Sequence, residues 1–252
     1  MQYNDHNDRF YYDRNVAQAA QVNVGLRSFM LSVYNHMVIG LAISAFVALG
    51  INMMAVTTIG GVKYLTAFGK AFYTSPFFFL VAFAPLIFII FGTSLMNRLS
   101  VNGARGMFFI FSALMGASLS SILIRYAATS VVQVFFITAA SFGALSLWGY
   151  TTKKDISAWG AFLFIGLVGI IIASLFNIFI GSSGLQFGVS VLGILIFAGL
   201  TAWDTQKLKN MYLYNNMNAE MASRMAIFGA LELYLDFVNM FQFLLSLLGN
   251  RE

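Results

Sequence analysis

The chain contains no cysteine. Disulfide frameworks, thiolate zinc sites, iron–sulfur clusters and thiol nucleophiles are thereby excluded. Histidine is nearly as scarce: His6 and His36 are the only two, too few for a histidine-built metal site. Charge is the third shortage. Asp, Glu, Lys and Arg make up 9% of 252 residues, whereas a water-solvated surface carries roughly 25%. An ordinary soluble domain is excluded on that ground, and the partner that replaces water is the lipid bilayer. The net charge of +5 is spread over short polar connectors without forming a basic face, which argues against nucleic acid.

In place of charge there is apolar material: 60% of the residues are hydrophobic, 16% are aromatic, and the mean hydropathy is +0.81. A helix that crosses a bilayer needs about 20 mainly apolar residues. Seven runs of that kind occupy 29–55, 76–95, 106–124, 130–150, 158–180, 185–203 and 225–248. The expected fold is an all-α integral membrane protein with seven transmembrane helices; a six-span chain whose last segment only re-enters the membrane is the alternative. Gly181-Ser182-Ser183-Gly184 is the whole connection between the fifth and sixth runs, which makes those helices an antiparallel pair. Residues 1–28, rich in Asn, Asp, Gln and Tyr, read as a polar mobile tail ahead of a membrane domain over 29–249. No signal peptide is visible, so the first run is expected to stay as a membrane helix.

Orientation follows from Lys and Arg, which are retained on the cytoplasmic side. Ten of the fourteen fall on one side: Arg9, Arg14, Arg27, Arg98, Arg105, Lys153, Lys154, Lys207, Lys209 and Arg224. Lys63, Lys70, Arg125 and Arg251 fall on the other. The N-terminus is expected in the cytoplasm, the C-terminus outside, and the location is the inner membrane.

Chemistry in such a chain is sought where a charge has been left in hydrocarbon, at a cost of ~2.5–3.5 kcal/mol at a helix centre. The seventh run carries Glu232 and Asp236 in its interior, four residues apart and hence on one helical face. Asp204 ends the sixth run, where it reads either as a headgroup-solvated helix end or as part of a site. The sixth run descends to Asp204 and the seventh starts from that same side, so the three carboxyls belong to one half of the membrane, with Arg98 able to snorkel toward them. Two aspartates in one partly dry site share a proton and titrate as a coupled unit. Pro85, inside the second run, removes a backbone donor and offers a hinge. His36 reads as a packing residue. A retinal-type Schiff base is excluded because all six lysines lie in connectors by this reading, and no serine-protease motif is visible.

Four segments carry a resemblance: GLRSFMLSVYNHM entering the first run, SLFNIFIG ending the fifth, AWDTQKLK ending the sixth, and LELYLDFVNMFQFLLSLLG through the seventh. With them the chain resembles a bacterial member of the Bax inhibitor-1 family, also called the transmembrane Bax inhibitor motif family, from Leu26 to about Gly249. The resemblance implies a seventh helix at the centre of the bundle and a cation leak, calcium in particular, gated by pH through two aspartates. By motif these match Asp204 and Asp236, which would also be the contacts for a passing Ca²⁺. It further implies an arginine latch at the end of the second helix; Arg98 is the nearest match, with Asn97 as the alternative occupant. A second-helix glutamate of the family's bacterial channel has no counterpart in FLVAFAPLIFII, and Glu232 is the candidate to take over part of its work. The expected function is a pH-gated calcium leak with no cofactor and no enzymatic reaction. The alternative is a non-conducting regulator that binds another membrane protein, such as a membrane-bound ATP-dependent protease.

Overall fold

The computed structural model describes the backbone of residues 5–60, 62–215 and 217–251, and side chains from Val22 onward apart from that of Val62. The first helix, α1, runs Asp5–Ala55 and carries the first membrane-length segment, Val22–Ala55. The second crossing is composite: α3 (Phe77–Ile87), a π-helical turn (Phe88–Gly92) and α4 (Thr93–Met96). The third joins α5 (Val101–Leu119) to the short α6 (Ile122–Arg125). The fourth to seventh are α7 (Ala128–Thr151), α8 (Trp159–Ile180), α9 (Ser183–Tyr214) and α10 (Ala219–Leu248). Among the described residues seven helical segments are therefore long and apolar enough to cross a membrane, and α10 is one unbroken helix of 30 residues. At 1.5 Å per residue it measures about 45 Å, which leaves no room for a re-entrant turn.

The seventh crossing sits at the centre. Helix α10 packs on α1, α5, α7 and α9, and Ile227, Leu233, Tyr234, Met240 and Leu245 along it are fully buried. Lipid-facing helices look different: α8 exposes Phe162, Phe164, Ile165, Ile178 and Phe179. Tyr234 ties the centre together. Its hydroxyl meets Ser44 Oγ at 2.6 Å, Ser44 donates to the Ser112 carbonyl at 2.7 Å, and its ring stands edge-on to Phe108 and Phe111. One polar contact thus joins α1, α5 and α10 inside an apolar core.

Four features differ from the sequence reading. Val56–Ile59 and Val62–Leu65 form a two-stranded antiparallel hairpin, followed by the short helix α2 (Ala67–Tyr73). The short β-prone segments VTTI and VKYL flank Gly60-Gly61, and this pair, with Gly60 at φ +60°, is the signal of a two-residue turn. Polar residues ahead of the first crossing have helical backbone from Asp5 onward, continuous with α1, because extending an existing helix needs no new nucleus. Leu26 is already part of the core, so packing begins before residue 29. The expectation of a mobile tail falls partly on residues 1–4 and on the side chains of 1–21, outside the described residues. Third, Pro85 lies inside α3 and the π-helical turn follows three residues later, with the Phe88 N–H shared between the carbonyls of Ala84 and Pro85. Fourth, α9 continues past Trp203 to Tyr214. Its 32 residues span about 48 Å against a hydrocarbon thickness of about 30 Å, so Asp204 has three further helical turns beyond it.

The chain's end is pinned. Tyr126 and Arg251 form an antiparallel bridge, Ala127 N–H donates to the Asn250 carbonyl at 3.0 Å, and Arg251 lies over the Tyr126 ring at 5.9 Å. The C-terminal residues therefore sit on the same face of the bundle as the α6–α7 connector.

Candidate functional site

Every consecutive side chain of the Asp204-Thr205-Gln206-Lys207 segment on α9 has its own partner. Thr205, fully buried, meets Ser146 of α7 at 3.0 Å, and Ser146 meets the Tyr34 hydroxyl of α1 at 2.6 Å. Gln206 accepts from the Ile156 N–H at 3.0 Å and donates to the Lys154 carbonyl at 2.8 Å, clamping the α7–α8 connector against α9. Asp204 and Lys207 turn instead toward α10. Thr205 and Gln206 point away from that face because each step around a helix is about 100°, and the third step brings Lys207 back beside Asp204.

The carboxyls of Asp204 and Asp236 meet across the α9–α10 seam and hydrogen-bond to each other. Both residues are buried, at 7% and 4% exposure. Two carboxylates are both acceptors, so this contact needs a proton between them. Asp236 Oδ2 is buried with no hydrogen-bond partner among the described residues. Lys207 then bridges the helices: its Nζ lies 2.9 Å from Asp204 Oδ1 and 2.8 Å from Glu232 Oε1, and 4.9 Å from the Trp203 ring centroid. Three carboxyls, one shared proton and one ammonium leave the cluster with one net negative charge. Wetness is graded along it. The side chains of Glu232 and Lys207 are 40% and 31% exposed, and Lys207 lines a cleft of about 270 Å³ with Gln206 and Asn210, whereas Asp236 is dry. Solvent therefore reaches the cluster from the Glu232 and Lys207 end.

The structure brings together three of the four residues singled out from sequence. Asp204, Asp236 and Glu232 converge, and Asp204 is no solvated helix end. The fourth, Arg98, is exposed just past α4 and makes no ion pair with either aspartate among the described residues. Lys207 occupies the cation's place. The apolar run stops at Trp203, which places Lys207 and the other five lysines in connectors; the helix in fact continues to Tyr214 and carries Lys207 one turn past Asp204 on the same face. The available signal was the three-residue spacing of Asp204 and Lys207. An arginine does tie down the second crossing, in the reverse direction: Arg224 of α10 donates to the carbonyls of Asn97, at 3.2 Å, and Leu99. His36 is a packing residue, stacked near Phe109 and hydrogen-bonded to the Ser32 carbonyl at 2.7 Å.

No group of three or more His, Asp or Glu among the described residues is placed to hold a metal ion. Ca²⁺ takes six to eight oxygens, and one oxygen each of Asp204 and Glu232 is engaged by the Lys207 ammonium.

The family described as Inhibitor of apoptosis-promoting Bax1 matches residues 26–252. A protein of Caulobacter vibrioides is 44% identical over 235 residues, covering 92% of this chain and 92% of its own length. A Rickettsia prowazekii protein is 40% identical over 227 residues, covering 90% and 91%. The inner membrane protein YbhL of Escherichia coli K12 is 39% identical over 247 residues, covering 97% of this chain and 99% of its own.

Proposed function

On the premise that this chain belongs to the Bax inhibitor-1 family, we propose that it is a proton-gated cation leak of the inner membrane, passing Ca²⁺ down its gradient without any enzymatic step. The inner-membrane location is carried over from the Escherichia coli relative. One observation supports the reading above all others: three carboxyls and one ammonium are concentrated on the α9–α10 seam of a bundle otherwise almost free of charge. Polar groups at membrane depth are costly and are retained where ions or protons move.

In the proposed cycle Lys207 is the clamp. At neutral pH its ammonium holds Asp204 of α9 to Glu232 of α10. Acid protonates those carboxylates, removes the attraction, and lets the two helices part at that end. The charged groups that act on Asp236 are Asp204, Glu232 and Lys207, while the uncharged chain Thr205, Ser146 and Tyr34 runs away from the cluster to α7 and α1. Gating thus falls to the carboxyls and Lys207. The N-terminus is cytoplasmic and the C-terminus external in this reading, from the distribution of Lys and Arg.

Reconstitution tests the reading. Purified protein in liposomes loaded with a Ca²⁺ indicator should give flux that rises as the medium is acidified. Absence of any pH-dependent flux from protein that elutes as a folded species would overturn it in favour of a non-conducting regulator that binds a membrane partner such as a membrane-bound protease.

A further inference from the structure

The α9–α10 seam carries a second polar feature at its opposite end. A cavity of about 360 Å³ opens between α8, α9 and α10, near the Gly181–Gly184 turn, and Asn177, Gln186, Ser190, Asn239, Gln242 and Ser246 line it. Ser190, 3% exposed, donates to the Gln186 carbonyl at 2.9 Å and meets Ser246 Oγ at 3.2 Å. Gln186 Nε2 reaches the same Ser246 oxygen at 3.4 Å. Side-chain amides and hydroxyls in such number are not left against lipid, because each unsatisfied one costs several kcal/mol there. Asn177 accepts from the Ser182 N–H and Asn239 donates to the Leu235 carbonyl, and the amide donors and acceptors left over, with those of Gln242, are ones that water satisfies.

Helical spacing places the cavity and the carboxyl cluster on one line. On α9, Gln186, Ser190, Gly193, Phe197, Thr201 and Asp204 follow each other at steps of three or four and share a face; Asp236, Asn239, Phe243 and Ser246 do so on α10. Between the two polar ends stands an aromatic pair. The rings of Phe197 and Phe243 stack with centroids 5.9 Å apart, Phe197 is buried, and Phe243 also borders the cavity. Gly193 is what lets Phe243 lie there, since a Cβ on it would stand 2.6 Å from the ring. Phe197 is seven residues from Asp204 and seven from Ser190, about 10 Å from each.

We propose that the Phe197–Phe243 stack is the apolar barrier of the leak, and that the amide-lined cavity is its hydrated vestibule for a cation on the side of the Gly181–Gly184 turn. This rests on the leak reading and supplies the half of the route that the carboxyl cluster leaves open. Apolar constrictions block ions by excluding water. Amide and hydroxyl oxygens of the vestibule replace part of the hydration shell of a cation that prefers oxygen ligands. Phe243 borders the cavity on one side and the stack on the other, so turning it into the cavity connects the two polar ends.

The absence of cysteine makes the test direct. Single variants Ser246→Cys and Thr201→Cys are made, and a membrane-impermeant cationic thiol reagent is applied from the side of the Gly181–Gly184 turn. Ser246→Cys should react and Thr201→Cys, beyond the barrier, should be protected. Adding Phe243→Ala should make Thr201→Cys react at least about ten-fold faster, while Phe243→Leu, which keeps apolar bulk, should leave it protected. A Ser246→Cys thiol that never reacts overturns the vestibule; a Thr201→Cys thiol that stays protected with Phe243→Ala, in protein that elutes as folded, overturns the barrier. Flux is read separately. Labelling as expected with no Ca²⁺ flux from either the parent or Phe243→Ala supports the water barrier and overturns the leak reading instead.

Discussion

Replacing Lys207 by methionine removes the ammonium and keeps most of the side chain's length and apolar stem. Two contacts disappear, at 2.9 Å to Asp204 and 2.8 Å to Glu232. They are not equal. Glu232 is 40% exposed, so solvent screens that arm and its worth falls to the surface range of about 0.5–1 kcal/mol. The Asp204 side chain is 10% exposed, and a charge-assisted hydrogen bond there contributes about 1.5–2 kcal/mol. Together the clamp biases the closed arrangement by about 2–3 kcal/mol, which at 1.4 kcal/mol per decade is about a 30- to 150-fold change in the open-to-closed ratio. Lys207→Met should therefore leak Ca²⁺ at neutral pH at close to the acid-opened rate of the parent protein, and acidification should add little. Lys207→Arg, which keeps the charge, should restore most of the closure. The assay is indicator-loaded liposomes across a pH series, with elution volume as the check on folding. A Lys207→Met protein that is folded and keeps the parent pH profile would refute the clamp.

Three other outcomes are expected. Asp204→Asn removes one arm of the clamp and should leak at neutral pH, whereas Asp236→Asn supplies an amide donor in place of the shared proton and should flatten the pH response without opening the protein; Asp204→Asn combined with Lys207→Met should match either single change, because coupled groups are not additive. Arg98→Ala should leave the flux profile unchanged, while Arg224→Ala, which frees the carbonyls of Asn97 and Leu99, should lower thermal stability by about 1–3 kcal/mol in a melting assay in detergent. Asp155, in the α7–α8 connector, accepts from the Ser157 hydroxyl and backbone N–H, and those bonds hold its carboxyl below the usual range. What they contribute is present above the ordinary carboxylate range and is lost only as pH falls through the lowered value, so Asp155→Asn should leave the midpoint of the flux response where it was.

Composition and run length by themselves determined the solvent and the architecture. In lipid only helices and closed barrels satisfy the backbone, and seven apolar runs of about 20 residues are helix-length, not strand-length; each run overlaps an observed crossing to within a few residues at most ends. The exceptions share a cause. Apolar character stops at Trp203, but hydrogen bonding does not, and α9 runs on to Tyr214. Hydropathy reports where lipid contact ends, not where a helix ends, so it places Lys207 in a connector, and only the three-residue spacing from Asp204 hints otherwise. Asp204, Glu232 and Asp236 were legible because acids in an apolar context are few and helical spacing fixes their faces. Which cation meets them was not, because Arg98 and Lys207 are equally basic in a sequence and differ only in where the packing of α9 on α10 carries them. The Phe197–Phe243 stack was beyond sequence for the same reason: among twenty-seven phenylalanines, only the close approach of two helices at Gly193 says which two rings meet.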